Sequence, residues 1–290
     1  MNVLEKRPTD PLFWFSALSA GLTLLIGLGF YVYLFWASWP LWRDHSLSFF
    51  TSTDWFPGES YGALAMIYGS VMVSTLALVT ALPFALAGAV TASEFLSPRL
   101  RLVFKAAMEL MAGVPGIVYG LLGAALLALW VKDWFGLIDG NTLFTAGILL
   151  GVMILPTIMT LAEDAIHSVP REFRETAASL GLPPLQAFFR VVFPQALPGI
   201  VGAVLLGLGR ALGETIAVML VIGGLDMIPS PWFDWFAPGQ SIPSKLGREA
   251  AEAIGSGMHW NALLGLGCAL FSGSMLLTGF GSYLLRRRQR

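Results

Sequence analysis

The sequence predicts an all-α, polytopic membrane protein with six transmembrane helices. Of its 290 residues, 56% are hydrophobic and 12% are charged, whereas soluble domains have roughly 25% charged residues. Several apolar stretches exceed the about 18 residues that indicate a membrane span. This composition excludes an ordinary soluble domain.

The spans are predicted from the apolar stretches in chain order. The first follows Lys6 and Arg7 and is too long for the core of a signal peptide, so we expect a retained helix. Pro83, Pro115 and Pro156 fall inside the second, third and fourth spans, where neighbouring helices can satisfy the backbone groups that a kink frees. The predicted spans cover residues 11–36, 61–92, 104–131, 143–162, 198–224 and 259–285.

The distribution of positive charge predicts the orientation. Lys and Arg concentrate in the N-terminal tail, in residues 93–105, in the loop 163–197 and in the basic tail 286–290. Cytoplasmic loops carry such an excess, so both termini are expected in the cytoplasm. Every tryptophan except Trp14 then lies on the outer side, as interfacial rings prefer.

The outer loops and the chain termini complete a division into three regions. Residues 1–60 hold the first helix and first outer loop, 61–285 the core transmembrane domain, and 286–290 a cytoplasmic tail. The outer loops 37–60 and 225–258 are rich in Pro, Gly and Ser, which favours ordered turns over long helices.

The cytoplasmic loop 163–197 has the pattern of two short helices. Ser168 and Pro170 are helix-start residues and Gly181 is a helix stop, and a second short helix is expected from Pro183 to Pro194. The first helix has one apolar face. Such a helix could lie on lipid or dock on a partner, and periodicity alone leaves both open. The face comprises Val169, Phe173, Ala177 and Leu180.

Arg210 and Glu214 interrupt the fifth span, where a charge costs about 3 kcal/mol or more. Four residues apart on one helix, they could pair and lock the span against its neighbours. They could also bind substrate, because the guanidinium fork suits a tetrahedral oxyanion. Glu214 would then orient Arg210 and accept the proton of hydrogen phosphate, a proton that sulfate lacks. The flanking Gly202, Gly207, Gly209 and Gly213 fit a narrow path or a dimer interface.

Other functional classes receive little support. A phosphate-binding Gly-rich loop with Lys is absent from the sequence, so ATP must be bound by another protein. We find no nucleophile beside a base, no histidines spaced as metal ligands, and a single cysteine, Cys268. Glu94 and Glu109 are expected at the cytoplasmic interface.

The cytoplasmic loop resembles the EAA loop of ABC-importer permeases. In that family this loop sits in a cleft of the cytoplasmic ATPase and carries its closure to the spans. The sequence departs from the pattern at Thr176, where Ala is usual, and at Phe193, where Leu is usual. The residues that occupy the positions of the pattern are Glu175, Thr176, Ala177, Gly181, Val191 and Pro194.

Three segments extend the resemblance to the phosphate-import permeases of the C type. They are GLGRALGETIAVMLVIGG, AGVPGIVYGLLG at 112–123 and FFTSTDWFPGESYGALAMIYGS at 49–70. Gly116 departs from the family, in which Ser commonly follows the Pro. The resemblance implies the type I ABC-importer permease fold in the inner membrane and places Arg210 and Glu214 on the translocation path.

The resemblance also implies the partners. They are a second permease in a heterodimer, two cytoplasmic ATPase subunits that bind the ATP, and an extracytoplasmic phosphate-binding protein; this chain would have no cofactor and no enzymatic activity of its own. Two alternatives remain open: a permease for phosphonate, sulfate or molybdate, and a secondary transporter that is not driven by ATP.

Overall fold

The computed structural model describes residues 11–45 and 47–288, which are mostly helical. Within these ranges, six helical segments are long and apolar enough to cross a membrane, so the predicted number is confirmed. Lys6, Arg7 and residues 289–290 lie outside the described residues, and the cytoplasmic placement of the termini stays a prediction. The six segments are Pro11–Ala37, Leu64–Phe95, Gly116–Phe135, Leu143–His167, Pro184–Gly213 and Met258–Gly281.

The individual elements are numbered along the chain. The helices are α1 (Pro11–Ala37), α2 (Trp39–His45), α3 (Ser48–Thr51), α4 (Leu64–Val90), α5 (Pro98–Ala112), α6 (Gly116–Leu122), α7 (Ala128–Phe135), α8 (Leu143–His167), α9 (Arg171–Ser179), α10 (Pro184–Ala187), α11 (Phe193–Gly213), α12 (Ile216–Val221), α13 (Ile242–Ala253) and α14 (Met258–Arg288). Strands β1 (Trp55–Phe56) and β2 (Ser60–Tyr61) form an antiparallel hairpin. Five-residue π-helical turns extend α4 (Thr91–Phe95), join α6 to α7 (Gly123–Leu127) and join α10 to α11 (Phe188–Val192).

Helix α8 is the centre of the bundle, with α4 and α11 packed against it. Small residues bring α4 and α8 close together: a Cβ added at Gly151 would collide with Thr80 Oγ1. Membrane helices associate through such small residues because lipid supplies no hydrophobic drive between them. The α4 face that meets α8 carries buried alanines at four-residue spacing, namely Ala77, Ala81, Ala85 and Ala89.

The third span differs from its predicted limits of 104–131. The helix is interrupted between Ala112 and Gly116, and the helical segment long enough to cross a membrane begins at Gly116. Pro115 explains the break, because proline has no N–H to donate and its ring clashes with the carbonyl of the preceding turn. Tyr119 bridges the break by donating its hydroxyl to the Met111 carbonyl at 2.9 Å.

The fifth span is also broken, so the continuous helix predicted over 198–224 is wrong. Helix α11 ends at Gly213 and α12 begins at Ile216. Between them Glu214 has an extended backbone, with ψ of 120°. Its side chain accepts a hydrogen bond from the Ala217 N–H at 3.1 Å, which caps α12 and stabilises the new helix start.

The outer loop 225–258 contains the 12-residue helix α13 in addition to the ordered turns that its composition favoured. Ser241 and Ser244 form a capping box at its start, a local signal that satisfies free N–H groups at a helix N-terminus. Together with α2, α3 and the hairpin, α13 surrounds a second apolar core that includes Phe49 and Leu263.

Lys245 is buried in this outer region and neutralised by two acids. It pairs with Asp226 and with Glu249, the latter at 2.5 Å, and lies 5.1 Å from the centroid of the Trp55 ring. Burial raises the pKa of Asp226. Burial acts the same way on Glu249, but hydrogen bonds from Lys245 and His259 outweigh it and lower the pKa of that carboxyl.

We expect Lys245→Met to lower the free energy of unfolding by about 3 kcal/mol, because it leaves partly buried carboxylates without their cation. Thermal unfolding of the purified protein in detergent measures the change. Lys132→Met is the matched control, since Lys132 is exposed and its loss should leave the Tm unchanged. Equal Tm values for the two variants would contradict the stabilising role of Lys245.

Candidate functional site

The breaks in the third and fifth spans meet beside the centre of α8. Arg210, in the last turn of α11 before one break, contacts Ala112 at the other break and Thr157 on α8. Thr157 lies about ten residues before His167, the end of α8, which is about 15 Å of helix rise. Irregular backbone at such depth is tolerated where it is covered by protein or lines a water-filled cavity.

Arg210 ties three helices together. Its Nη1 donates to Thr157 Oγ1 at 2.8 Å, and its Nη2 donates to the Ala112 carbonyl at 3.0 Å. That carbonyl is in the last turn of α5, where it has no partner within its own helix. The C-terminal turn of α11 also favours a positive charge. The guanidinium has further N–H donors that these contacts do not use.

Glu214 lies between the starts of two helices. Its Oε1 accepts the Ala217 N–H of α12, and its carboxylate faces Gly116, the first residue of α6. Helix N-termini carry partial positive charge, so the Glu214 carboxylate lies beside two electropositive helix ends. The Arg210 guanidinium thus lies at a helix C-terminus and the Glu214 carboxylate at two helix N-termini, so each side chain faces helix ends of opposite polarity.

The pairing of Arg210 with Glu214, one of the two alternatives that the spacing left open, is not found, and the expectation that Glu214 orients Arg210 is wrong. In the described portion of the chain neither residue forms an ion pair with the other. The four-residue spacing requires a continuous helix, but α11 ends at Gly213. Thr157 and the Ala112 carbonyl orient Arg210 instead, and the fixed ion pair that would lock the span is excluded with it.

Sequence reasoning missed Thr157 because threonine in a membrane helix usually bonds to its own backbone. Thr80 and Thr160 do so in α4 and α8. Thr157 instead accepts from Arg210. It follows Pro156, and this proline within the fourth span was the available signal.

Comparison with known proteins identifies the family. The chain matches the binding-protein-dependent transport system inner membrane component family over residues 81–289. It belongs to this family. The permease is also 35% identical to the phosphate transport system permease protein PstC of Mesorhizobium japonicum, over 96% of this chain and 90% of that protein. The PstC protein of Pasteurella multocida is 33% identical over 96% and 89%.

Solved structures agree with the family at the level of the fold. The MetNI methionine ABC transporter, in inward-facing conformations, has a TM-score of 0.57 at 19% identity, covering 79% of this chain and 95% of that chain. The type I ABC-importer permease fold is thereby confirmed. The chain is a multi-pass inner-membrane permease, and its family implies a second permease, an ATPase and a substrate-binding protein as partners.

The segment between the fourth and fifth spans of this permease forms the first predicted helix, α9 (Arg171–Ser179). Gly181 ends it in a left-handed conformation with φ of 73°. The Leu182 N–H bonds to the Ala177 carbonyl at 3.2 Å, and the Gly181 N–H to that of Ala178 at 2.9 Å. This is a Schellman ending, and glycine adopts its φ without strain.

The second predicted helix does not end at Pro194. The helical segment runs from Pro184 through the π-helical turn into α11, and Pro194 directly follows that turn at the start of α11. Helix α8 likewise continues to His167. Fewer residues therefore lie outside the long helices than the predicted loop 163–197 contains.

The residues of the EAA pattern differ in exposure. Glu175, Thr176, Gly181 and Pro194 are exposed and Val191 is partly buried, but Ala177 is only 2% exposed. Ala177 therefore packs within this chain, because α9 lies against the turn Phe188–Val192. On the predicted apolar face Val169 is also buried, whereas Phe173 and Leu180 are exposed and free to meet another surface.

An ion pair and a hydrogen bond, both from Arg174, connect α9 to the helix bundle. Arg174 Nη1 donates to both carboxylate oxygens of Glu94, at 2.6 and 2.7 Å, and its Nη2 donates to the Ile166 carbonyl at 3.1 Å. Arg174 thus joins the C-terminal ends of the extended α4 and of α8. Nearby, Arg101 of α5 pairs with the buried Glu163 of α8 at 2.5 Å.

Proposed function

We propose that this chain is the permease subunit of an ATP-driven importer that moves inorganic phosphate across the inner membrane. The proposal rests on one observation above all: a guanidinium with unused donors lies where two broken helices meet beside the middle of the spanning helix α8. The relatives named phosphate transport permeases, which match almost the full chain, supply the substrate class.

Arg210 is proposed to hold the anion. Two fixed contacts orient its fork, and the remaining donors can bind oxygens of a tetrahedral anion. Glu214 is proposed to accept the proton of hydrogen phosphate, which rewards phosphate over sulfate because sulfate would face an unpaired carboxylate. The open faces of Gly202, Gly209 and Gly213 are proposed to border the path, whereas Gly207 packs on Ile158.

ATP binding by the partner ATPase is proposed to act through α9. The exposed Glu175, Thr176 and Gly181, with Val191 and Pro194, form the ATPase-coupling surface, and Ala177 supports it from within. Movement of α9 reaches α8 through Arg174, and α8 carries Thr157, which holds Arg210. The core domain 61–285, with the coupling segment inside it, is proposed to be the unit that switches access.

The outer loops 37–60 and 225–258 are proposed to receive the loaded phosphate-binding protein. With α9 on the cytoplasmic side, both termini are cytoplasmic, as the positive-inside rule predicts. The N-terminal region, residues 1–60, and the tail 286–290 are proposed to lie outside the core.

Uptake by the complex reconstituted in liposomes, with its second permease, ATPase and binding protein, tests the function. We expect ATP-dependent phosphate uptake, with sulfate at background. Glu214→Gln should reduce the preference for phosphate over sulfate by about tenfold, the weight of one hydrogen bond to a charged group. Glu109→Gln, an exposed acid outside the site, should leave the preference unchanged.

The outcomes separate the alternatives. Import of sulfate, molybdate or phosphonate in place of phosphate would favour another oxyanion permease. Uptake that persists without ATP and without the ATPase would favour a secondary transporter, and either result would overturn the proposal.

A further inference from the structure

Gly116 has no room for a side chain, and the group that takes the room is the Glu214 carboxylate. A Cβ added at Gly116 would lie 2.8 Å from Oε1 and 3.2 Å from Oε2 of Glu214. Separations under 3.0 Å are essentially never found for a Cβ atom. The carboxylate therefore occupies space that is available only because residue 116 is glycine.

This space lies at one end of a row of glycines along which α6 and the π-helical turn after it meet α12. A Cβ at Gly120 would lie 2.9 Å from the Ala217 Cα, and one at Gly123 would lie 3.2 Å from a methyl carbon of Val221. At those two positions the obstacles include backbone or apolar atoms of the packed core. At Gly116 the nearest obstacles are instead the atoms of one ionisable group.

We propose that Gly116 is a positioning residue that sets the place of the Glu214 carboxylate during transport. The proposal rests on the proposed function, which puts Glu214 on the path. With glycine at 116, the carboxylate stays beside the N-terminus of α6 and accepts the Ala217 N–H.

The position of the obstacle decides what a substitution does. The atoms that a methyl group at residue 116 would meet belong to the far end of a flexible side chain, so they can move without a shift of the backbone. Gly116→Ala should therefore leave the fold intact and displace the carboxylate. The substitution should therefore change the position of the Glu214 carboxylate and leave the packing of α6 unchanged.

A rescue experiment tests this in the reconstituted complex. We expect Gly116→Ala to lower the maximal phosphate uptake rate about tenfold with the Tm unchanged. Gly113→Ala is the matched control: it lies at the same break, and a Cβ there would have its nearest neighbours at an ordinary 3.5 Å. Combining Gly116→Ala with Glu214→Asp, whose side chain is shorter by one methylene, should restore uptake above that of either single variant.

Such non-additivity is the signature of two residues in contact, and a packing defect at Gly116 would not be repaired by shortening Glu214. Wild-type uptake in Gly116→Ala, or a double variant whose loss equals the combined losses of the single variants, would overturn the proposal.

ATP hydrolysis stimulated by the binding protein, measured on the same variants, separates this proposal from the proposed function. If the wild type takes up phosphate and the losses of the two single variants add up in the double variant, the role of Gly116 is refuted and the proposed function stands. Absence of phosphate uptake, with non-additive changes in stimulated hydrolysis, refutes the substrate and supports the Gly116–Glu214 coupling.

Discussion

Arg210→Lys is expected to lower phosphate uptake by about tenfold to a hundredfold in an assembled complex. Two different nitrogens of Arg210 reach Thr157 and the Ala112 carbonyl at once, and a single ammonium nitrogen cannot replace that planar fork. A hydrogen bond to a charged group contributes about 1.5–3 kcal/mol, and about 1.4 kcal/mol corresponds to tenfold. Initial uptake rates in proteoliposomes, normalised to the amount of complex, provide the measurement.

Thr157→Val is the matched control for this prediction. It removes the Nη1 contact but keeps the guanidinium and its bond to Ala112, so uptake should fall by less than in Arg210→Lys. Wild-type uptake by Arg210→Lys would show that the guanidinium is structural, and the site would then have to be sought elsewhere.

Arg174→Met is expected to uncouple ATP hydrolysis from transport. The change removes the contacts from α9 to Glu94 on the extension of α4 and to the Ile166 carbonyl on α8. Uptake per ATP hydrolysed should fall about tenfold, because α9 can still meet the ATPase while its movement is no longer passed to the bundle. Parallel assays of ATP hydrolysis and phosphate uptake on one preparation measure this ratio.

Two further variants make the uncoupling specific. Arg171→Met removes a cation of the same helix that forms no ion pair within residues 11–45 and 47–288, and it should keep the wild-type ratio. The charge exchange Glu94→Arg with Arg174→Glu should recover part of the coupling that each single change loses. Equal ratios in Arg174→Met and the wild type would mean that force reaches the bundle by another route.

Local patterns predicted those elements whose cause lies within a few residues. Helix α9 is an example, since Pro170 precedes it and Gly181 ends it, and the same is true of the six apolar segments. The prediction failed at Glu214 because the pattern there is compatible with two local structures. The four-residue spacing suggested that Glu214 pairs with Arg210 on one helix, but Glu214 could equally cap a new helix by accepting the Ala217 N–H.

Pro115 shows the same limit in the third span. Its presence predicted a kink, and the structure has a full break that Tyr119 and Arg210 satisfy from outside α5. Whether a proline bends or ends a membrane helix depends on whether neighbouring groups can bond to the freed carbonyls. Those neighbours come from distant regions of the chain.

The sequence by itself determined that this protein has six apolar segments long enough to cross a membrane, carries a short helix between the fourth and fifth of them and has an Arg and a Glu within one apolar segment. These properties follow from composition and local spacing. Tertiary structure alone decided that Arg210 bonds to Thr157 and Ala112, and that Glu214 rests against Gly116. The physical reason is that a charge within a membrane must find its partners in three dimensions, and helix ends from separate spans supplied them here.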